Sequence, residues 1–126
     1  MKTNSLGRTG LSVSAYCLGT MTFGTQTSEA EGHGQIDMAL DHGINFLDTA
    51  EMYPTTPMAA EHCGETERII GTWNAANPSR RGDYILATKV TGAGQRMVRD
   101  GAQISRATIT EAVEGSLKRL QTDYID

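Results

Sequence analysis

Short apolar segments alternating with amphipathic helical stretches predict an α/β fold built from parallel βαβ units with right-handed crossovers. Three observations carry this expectation. The element order reads hairpin, then β-α-β-α-β-α-β. A capping box opens the first helix, and a lone serine in the right place can cap the third. The length, 126 residues, suits one domain of ordinary size. Two architectures share this order: an open doubly wound sheet, and part of a (β/α)8 barrel.

The elements follow one another from the N-terminus. Lys2–Leu6 and Leu11–Ser14, joined by Gly7-Arg8-Thr9-Gly10, read as a short β-hairpin. Tyr16–Gly19 is the first buried strand, which makes Cys17 a small buried hydrophobe. In Ser28-Glu29-Ala30-Glu31 the serine hydroxyl can accept from the Glu31 amide while the Glu31 carboxylate reaches back. The helix that follows presents Ile36, Ala39 and Leu40 on one face, and Gly43 suits the left-handed residue that ends it. Asn45–Asp48 is a second strand, and a long loop from Glu51 to Cys63 contains Pro54 and Pro57. A second helix runs from Glu65 to Ala76, with Ile69, Ile70, Trp73 and Ala76 inward and Pro78 as its stop. Trp73 is expected to pack on the sheet. Tyr84–Val90 is a third strand, rich in apolar and β-branched residues. Ser105 caps a third helix with the inner stripe Ile109, Ala112, Val113, Leu117 and Leu120, and Tyr124-Ile125-Asp126 begins another strand.

Composition excludes several classes of function. Eleven basic and 15 acidic residues give a net charge of −4, the opposite of a nucleic-acid-binding footprint. The share of hydrophobic residues, 38%, supports a packed core. Two cysteines without CxxC spacing do not make a disulfide scaffold. The N-terminus has no apolar signal core, and no run approaches the ~18 apolar residues of a membrane span. The expected compartment is therefore the cytoplasm. His33, His42 and His62 have no metal-ligand spacing; the first two read as helix-surface residues and the third as a loop residue. A dinucleotide-binding open sheet should show GxGxxG after its first strand. Here that turn is Gly19-Thr20-Met21-Thr22-Phe23-Gly24, with the glycines wrongly spaced, and Gly92-Ala93-Gly94 lacks a third glycine.

Three ionisable residues stand at or just past strand C-terminal ends, where a parallel barrel keeps its active site. They are Asp48, Tyr53 and Lys89. A free phenol titrates near ~10 and is a poor acid at neutral pH. An adjacent ammonium stabilises the phenolate, and a carboxylate keeps that ammonium charged. A phenol so placed can protonate a carbonyl oxygen while hydride reaches the carbonyl carbon. The alternative from spacing alone is a structural Asp48–Lys89 ion pair with Tyr53 as a rim residue. Arg96 and Arg99 lie at the mouth of this site and read as solvated, with contact to cofactor or substrate as the other possibility.

The wording of the motifs adds to this. Gly19-Thr20-Met21-Thr22-Phe23-Gly24, the run from Gly43 through Asp48-Thr49-Ala50-Glu51-Met52 to Tyr53, Gly64-Glu65-Thr66-Glu67, Ala87-Thr88-Lys89-Val90, and Ser116 through Asp126 resemble, in order, segments of the aldo-keto reductase family. Within it the chain is most similar to the bacterial Tas-like branch, through Glu51-Met52-Tyr53-Pro54 and the loop that follows. The resemblance implies residues 1–126 as the N-terminal part of a single parallel (β/α)8 TIM barrel: the hairpin, three β/α units and the start of strand 4. It implies Asp48, Tyr53 and Lys89 as catalytic residues, with Tyr53 the general acid. It implies Gly19, Thr20, Met21 and Asp48 at the nicotinamide end of NADPH, and a small-molecule carbonyl substrate. The family's catalytic histidine falls beyond Asp126, as do its cofactor phosphate and adenine sites, so the isolated chain is expected to be inactive. A non-catalytic cofactor-sensing or regulatory subunit of the same fold is the alternative. Open strand edges predict self-association or pairing with a complementary C-terminal half.

Overall fold

The computed structural model describes all residues from Met1 to Asp126. An antiparallel hairpin, β1 (Thr3–Ser5) and β2 (Ser12–Ser14), precedes three parallel strands: β3 (Leu18–Gly19), β4 (Phe46–Asp48) and β5 (Ile85–Ala87). The strands lie in the order β3-β4-β5. Helices α1 (Glu29–Asp41), α2 (Glu65–Ala76) and α3 (Arg106–Leu120) follow them in turn. Neighbouring strands are thus neighbours in sequence. The helices pack side by side, α1 on α2 and α2 on α3. That is the winding of a barrel wall, and a doubly wound sheet shares it within each half, reversing its strand order only at the switch point.

Register shows why the sequence takes this form. Leu18, Leu47 and Leu86 stand opposite one another, and so do Gly19, Asp48 and Ala87. Successive residues of a strand point to opposite faces. The leucine row therefore turns to the helices, where Leu47 and Leu86 are fully buried with Ile36, Ile70, Trp73 and Leu120. The Gly19–Asp48–Ala87 row turns to the other face.

Capping follows the sequence reading. Ser28 accepts from the Glu31 amide while Glu31 bonds back to the Ser28 amide at 2.9 Å, and Ser105 caps α3 with Thr108 in the reciprocal role. Gly64, at φ +82°, supplies the left-handed residue in front of α2. At Gly71 a Cβ would run into the Arg119 carbonyl, so glycine lets α2 and α3 approach closely. Trp73 packs against the sheet, edge-on to Tyr84 at 5.9 Å, and donates from Nε1 to Asp37.

Several expectations are corrected. The strands are shorter than Tyr16–Gly19 and Tyr84–Val90. Cys17 is exposed, not buried, because it precedes β3 and Leu18 is the residue that reaches the helix side. Ala76 is exposed and Asn74 takes the inner position, where its side-chain amide donates to the Leu120 carbonyl at 2.8 Å. On α3, Ala112 and Leu120 are buried as expected, but Ile109 and Val113 are exposed and Ser116 takes an inner place. Small residues face α2 because the two helices lie so close. His33 is not a free surface residue, since its Nε2 donates to the Ile69 carbonyl at 2.9 Å and ties α1 to α2. Tyr124–Asp126 forms no strand of its own, yet the Asp126 amide bonds the Leu86 carbonyl at 3.2 Å, alongside β5.

Candidate functional site

The polar inner row converges at the C-terminal ends of β4 and β5. Lys89 lies two residues past Ala87 and so returns to the face that Asp48 occupies. Its Nζ donates to both Asp48 carboxylate oxygens at 2.7 Å and to the Thr49 carbonyl at 2.8 Å. The same ammonium stands 4.8 Å from the Tyr53 ring centroid, within cation–π range. Burial pushes Lys89 toward losing its proton, but hydrogen bonds and charge from Asp48 and the Tyr53 hydroxyl outweigh it, and the amine titrates above the usual lysine value. The Asp48 carboxylate, the Lys89 ammonium and the Tyr53 ring therefore meet in one place.

Of the residues expected to line a cofactor, Gly19 faces the same side as Asp48, and nothing lies within 4 Å of where its side chain would begin. Met21 is exposed at the rim. Thr20 is fully buried, and its hydroxyl donates to the Asp48 carbonyl at 2.9 Å. It thus anchors the strand end that carries the carboxylate. Gly19 thus leaves the inner face open beside the Asp48 carboxylate, with no side chain standing over it. Cys17 lies near the same carboxylate; desolvation, then the Asp48 charge, push its thiol up.

Backbone contacts hold Tyr53. Its amide closes a turn on the Ala50 carbonyl at 3.1 Å, and its carbonyl accepts from the Thr66 amide at 3.4 Å. Thr66 sits in the first turn of α2 and donates its hydroxyl to the Phe23 carbonyl at 2.8 Å. The next helical residue, Glu67, is wholly buried; it accepts from Thr88 and from Arg119 Nε, each at 2.6 Å. Thr88 turns outward to α2, and its neighbour Lys89 is thereby aimed inward.

Sequence reasoning missed a second charged group. Glu51, buried between Asp48 and Tyr53 in the chain, accepts from the Thr91 amide and from both terminal nitrogens of Arg99, at 2.5–2.9 Å. Burial pushes the Glu51 carboxyl up, but Arg99 and the Thr91 amide more than offset it and hold the group below the ordinary glutamate value. Arg99 is consequently not solvated, whereas Arg96 is exposed. An acidic residue inside the otherwise uncharged run Thr49-Ala50-Glu51-Met52 was the only local signal; its partner is 48 residues away.

Sequentially ordered parallel strands, helices on one face and an ion pair with a phenol at the strand C-terminal ends define the beginning of a (β/α)8 barrel: its hairpin, three β/α units and the approach to strand 4. Comparison with known proteins specifies which barrel. The model of the Aldo/keto reductase family matches residues 15–126, and the chain belongs to that family. Protein tas of Escherichia coli (strain K12) is 45% identical over 129 residues, covering 100% of this chain and 37% of that protein. The uncharacterized oxidoreductase YrpG of Bacillus subtilis (strain 168) is also 45% identical, over 100% of this chain and 38% of its own length. Among solved structures, aldo-keto reductase AKR11C1 from Bacillus halodurans in its holo form superposes with a TM-score of 0.77 at 39% identity, covering 100% of this chain and 38% of that one. The chain thus spans little more than a third of the length of these relatives. No helix is long and apolar enough to cross a membrane.

Proposed function

We propose that residues 1–126 are the N-terminal part of one barrel domain that reduces an aldehyde or ketone to an alcohol with NADPH, in the cytoplasm. One observation carries the reading: the Lys89 ammonium is gripped by both Asp48 oxygens and stands against Tyr53. When bound, NADPH supplies the hydride. Tyr53 gives its hydroxyl proton to the carbonyl oxygen as negative charge develops there. Lys89 stabilises the phenolate that remains, and Asp48 holds Lys89 charged and in place. Gly19 and Met21 would border the nicotinamide, and Thr20 would act through the Asp48 backbone. A small-molecule carbonyl compound is the substrate, and the half-exposed ion pair leaves room above the strand ends for it.

Tyr53→Phe in the full-length protein removes the proton donor and keeps the ring. Steady-state reduction of a simple aldehyde with NADPH should fall by at least about 10²-fold, with NADPH affinity little changed. Unaltered turnover would remove Tyr53 from the mechanism. Absence of turnover in the unmodified protein, with NADPH still bound, would favour the regulatory subunit instead.

A further inference from the structure

Four contacts meet at Glu51 and join the two loops that carry the reacting groups. Its main-chain amide donates to the Lys89 carbonyl at 3.3 Å, just where β5 ends. Its carboxylate accepts from the Thr91 amide at 2.5 Å and from the Arg99 guanidinium at 2.9 and 2.5 Å. The side chain is only 3% exposed and that of Arg99 only 13%. A buried carboxylate is tolerated only when its lone pairs are met this way, and a two-pronged guanidinium contact fixes direction as well as distance. The loop it holds is itself under tension. Arg99 and Asp100 both adopt left-handed backbone, at φ 48° and 50°, a region that residues with a Cβ avoid and that persists only when surrounding contacts impose it. Main-chain bonds from Gly101 to the Val98 carbonyl and from Ala102 to the Arg99 carbonyl close this turn, and the charge pair to Glu51 fastens it to the loop after β4.

We propose that Glu51 is a positioning residue for the reduction described above: it clamps the loop after β5 onto the loop after β4 and so sets the separation of Lys89 and Tyr53. The proposal rests on the reductase reading of the site. The Glu51 carboxylate is enclosed by the Thr91 amide and Arg99, with no side of it open to solvent. Its effect passes through the backbone on either side of it: Asp48 lies three residues before, Tyr53 two residues after, and Lys89 is bonded to its amide.

The test compares Glu51→Gln, Arg99→Met, the double variant and Tyr53→Phe in the full-length protein, by single-turnover oxidation of bound NADPH with a simple aldehyde. The rate constant and the amplitude are read separately. Glu51→Gln and Arg99→Met should each lower the rate constant roughly 10–100-fold, as small misplacements of reacting groups do, with amplitude and KM for NADPH preserved. The double variant should be no slower than the slower single one. A smaller amplitude at an unchanged rate constant means a merely structural role and overturns the proposal, as does an unchanged rate. If Glu51→Gln does not fold, Arg99→Met decides alone. Wild-type rates in Tyr53→Phe would instead overturn the reductase reading itself. Loss in Tyr53→Phe with no change in the Glu51 and Arg99 variants would reject Glu51 alone.

Discussion

Lys89 shows how one side chain balances opposing influences. Desolvation favours the neutral amine, and Asp48 with the Tyr53 hydroxyl favours the ammonium; the second influence wins. Because the folded pKa is raised, the stabilising ion pair is complete below the unfolded lysine value of about 10.4 and is lost only as pH rises through the folded one. Lys89 should accordingly keep its charge across neutral pH and lose it only in strongly alkaline solution. Asp48→Asn removes both oxygens that grip Nζ and leaves desolvation largely unopposed. The titration of the Lys89 amine, followed directly by NMR, should move toward neutrality; an unmoved titration would show that Asp48 does not govern the charge on Lys89. Because the pair is half exposed, its contribution to folding stability is small, in line with surface ion pairs.

Between elements, the α2–α3 contact depends on what is missing. Gly71 lets the end of α3 lie against α2, and Asn74 bonds the Leu120 carbonyl across the same seam. Two effects compete in Gly71→Ala. Alanine is the better helix former by about 1 kcal/mol, whereas forcing a methyl into a packed contact with backbone costs about 1–3 kcal/mol. The clash is with a carbonyl, which cannot swing aside like a flexible side chain, so the cost falls at the upper end of its range and the substitution should destabilise by up to about 2 kcal/mol net. Chemical denaturation would read this as a lower midpoint at unchanged slope; an equal or higher midpoint would mean that α3 shifts freely. The same seam bears on the site, because Glu67 on α2 receives Arg119 from α3 and Thr88 from the end of β5.

For the molecule as a whole, the arrangement is open-sided. β3 pairs only with β4, and past β5 only the Asp126 amide adds to the ladder. Exposed apolar side chains include Tyr16 at 68%, Met38 at 64%, Ile109 and Val113. Unpaired strand edges and apolar surface favour association. The isolated 126-residue polypeptide should therefore self-associate in light scattering and show no NADPH binding in a fluorescence titration. A monomer that binds NADPH at micromolar concentration would contradict both expectations.

The sequence by itself determined what depends on near neighbours. Capping at Ser28 and Ser105, the full extent of α2, the order of strands and helices, and the inward placement of Ile36, Ile69 and Trp73 all follow from periodicity and helix-end chemistry within a few residues. Asp48 and Lys89 were legible as neighbours too, although 41 residues apart, because Asp48 closes one strand, Lys89 follows the next by two residues, and adjacent parallel strands bring such ends together. Tertiary structure alone decided the rest. No spacing pairs Glu51 with Arg99, or Arg81 with Asp126. Those contacts arise only after strand register and helix docking have placed distant backbones side by side. The same docking buried Ser116 beside Ala112 and left Ile109 and Val113 exposed. Periodicity identifies an apolar stripe, but the space left beside Gly71 decides which residues fit against it. Cys17 was misplaced for a related reason: an apolar neighbourhood marks a strand, while the side on which each residue falls depends on where pairing begins.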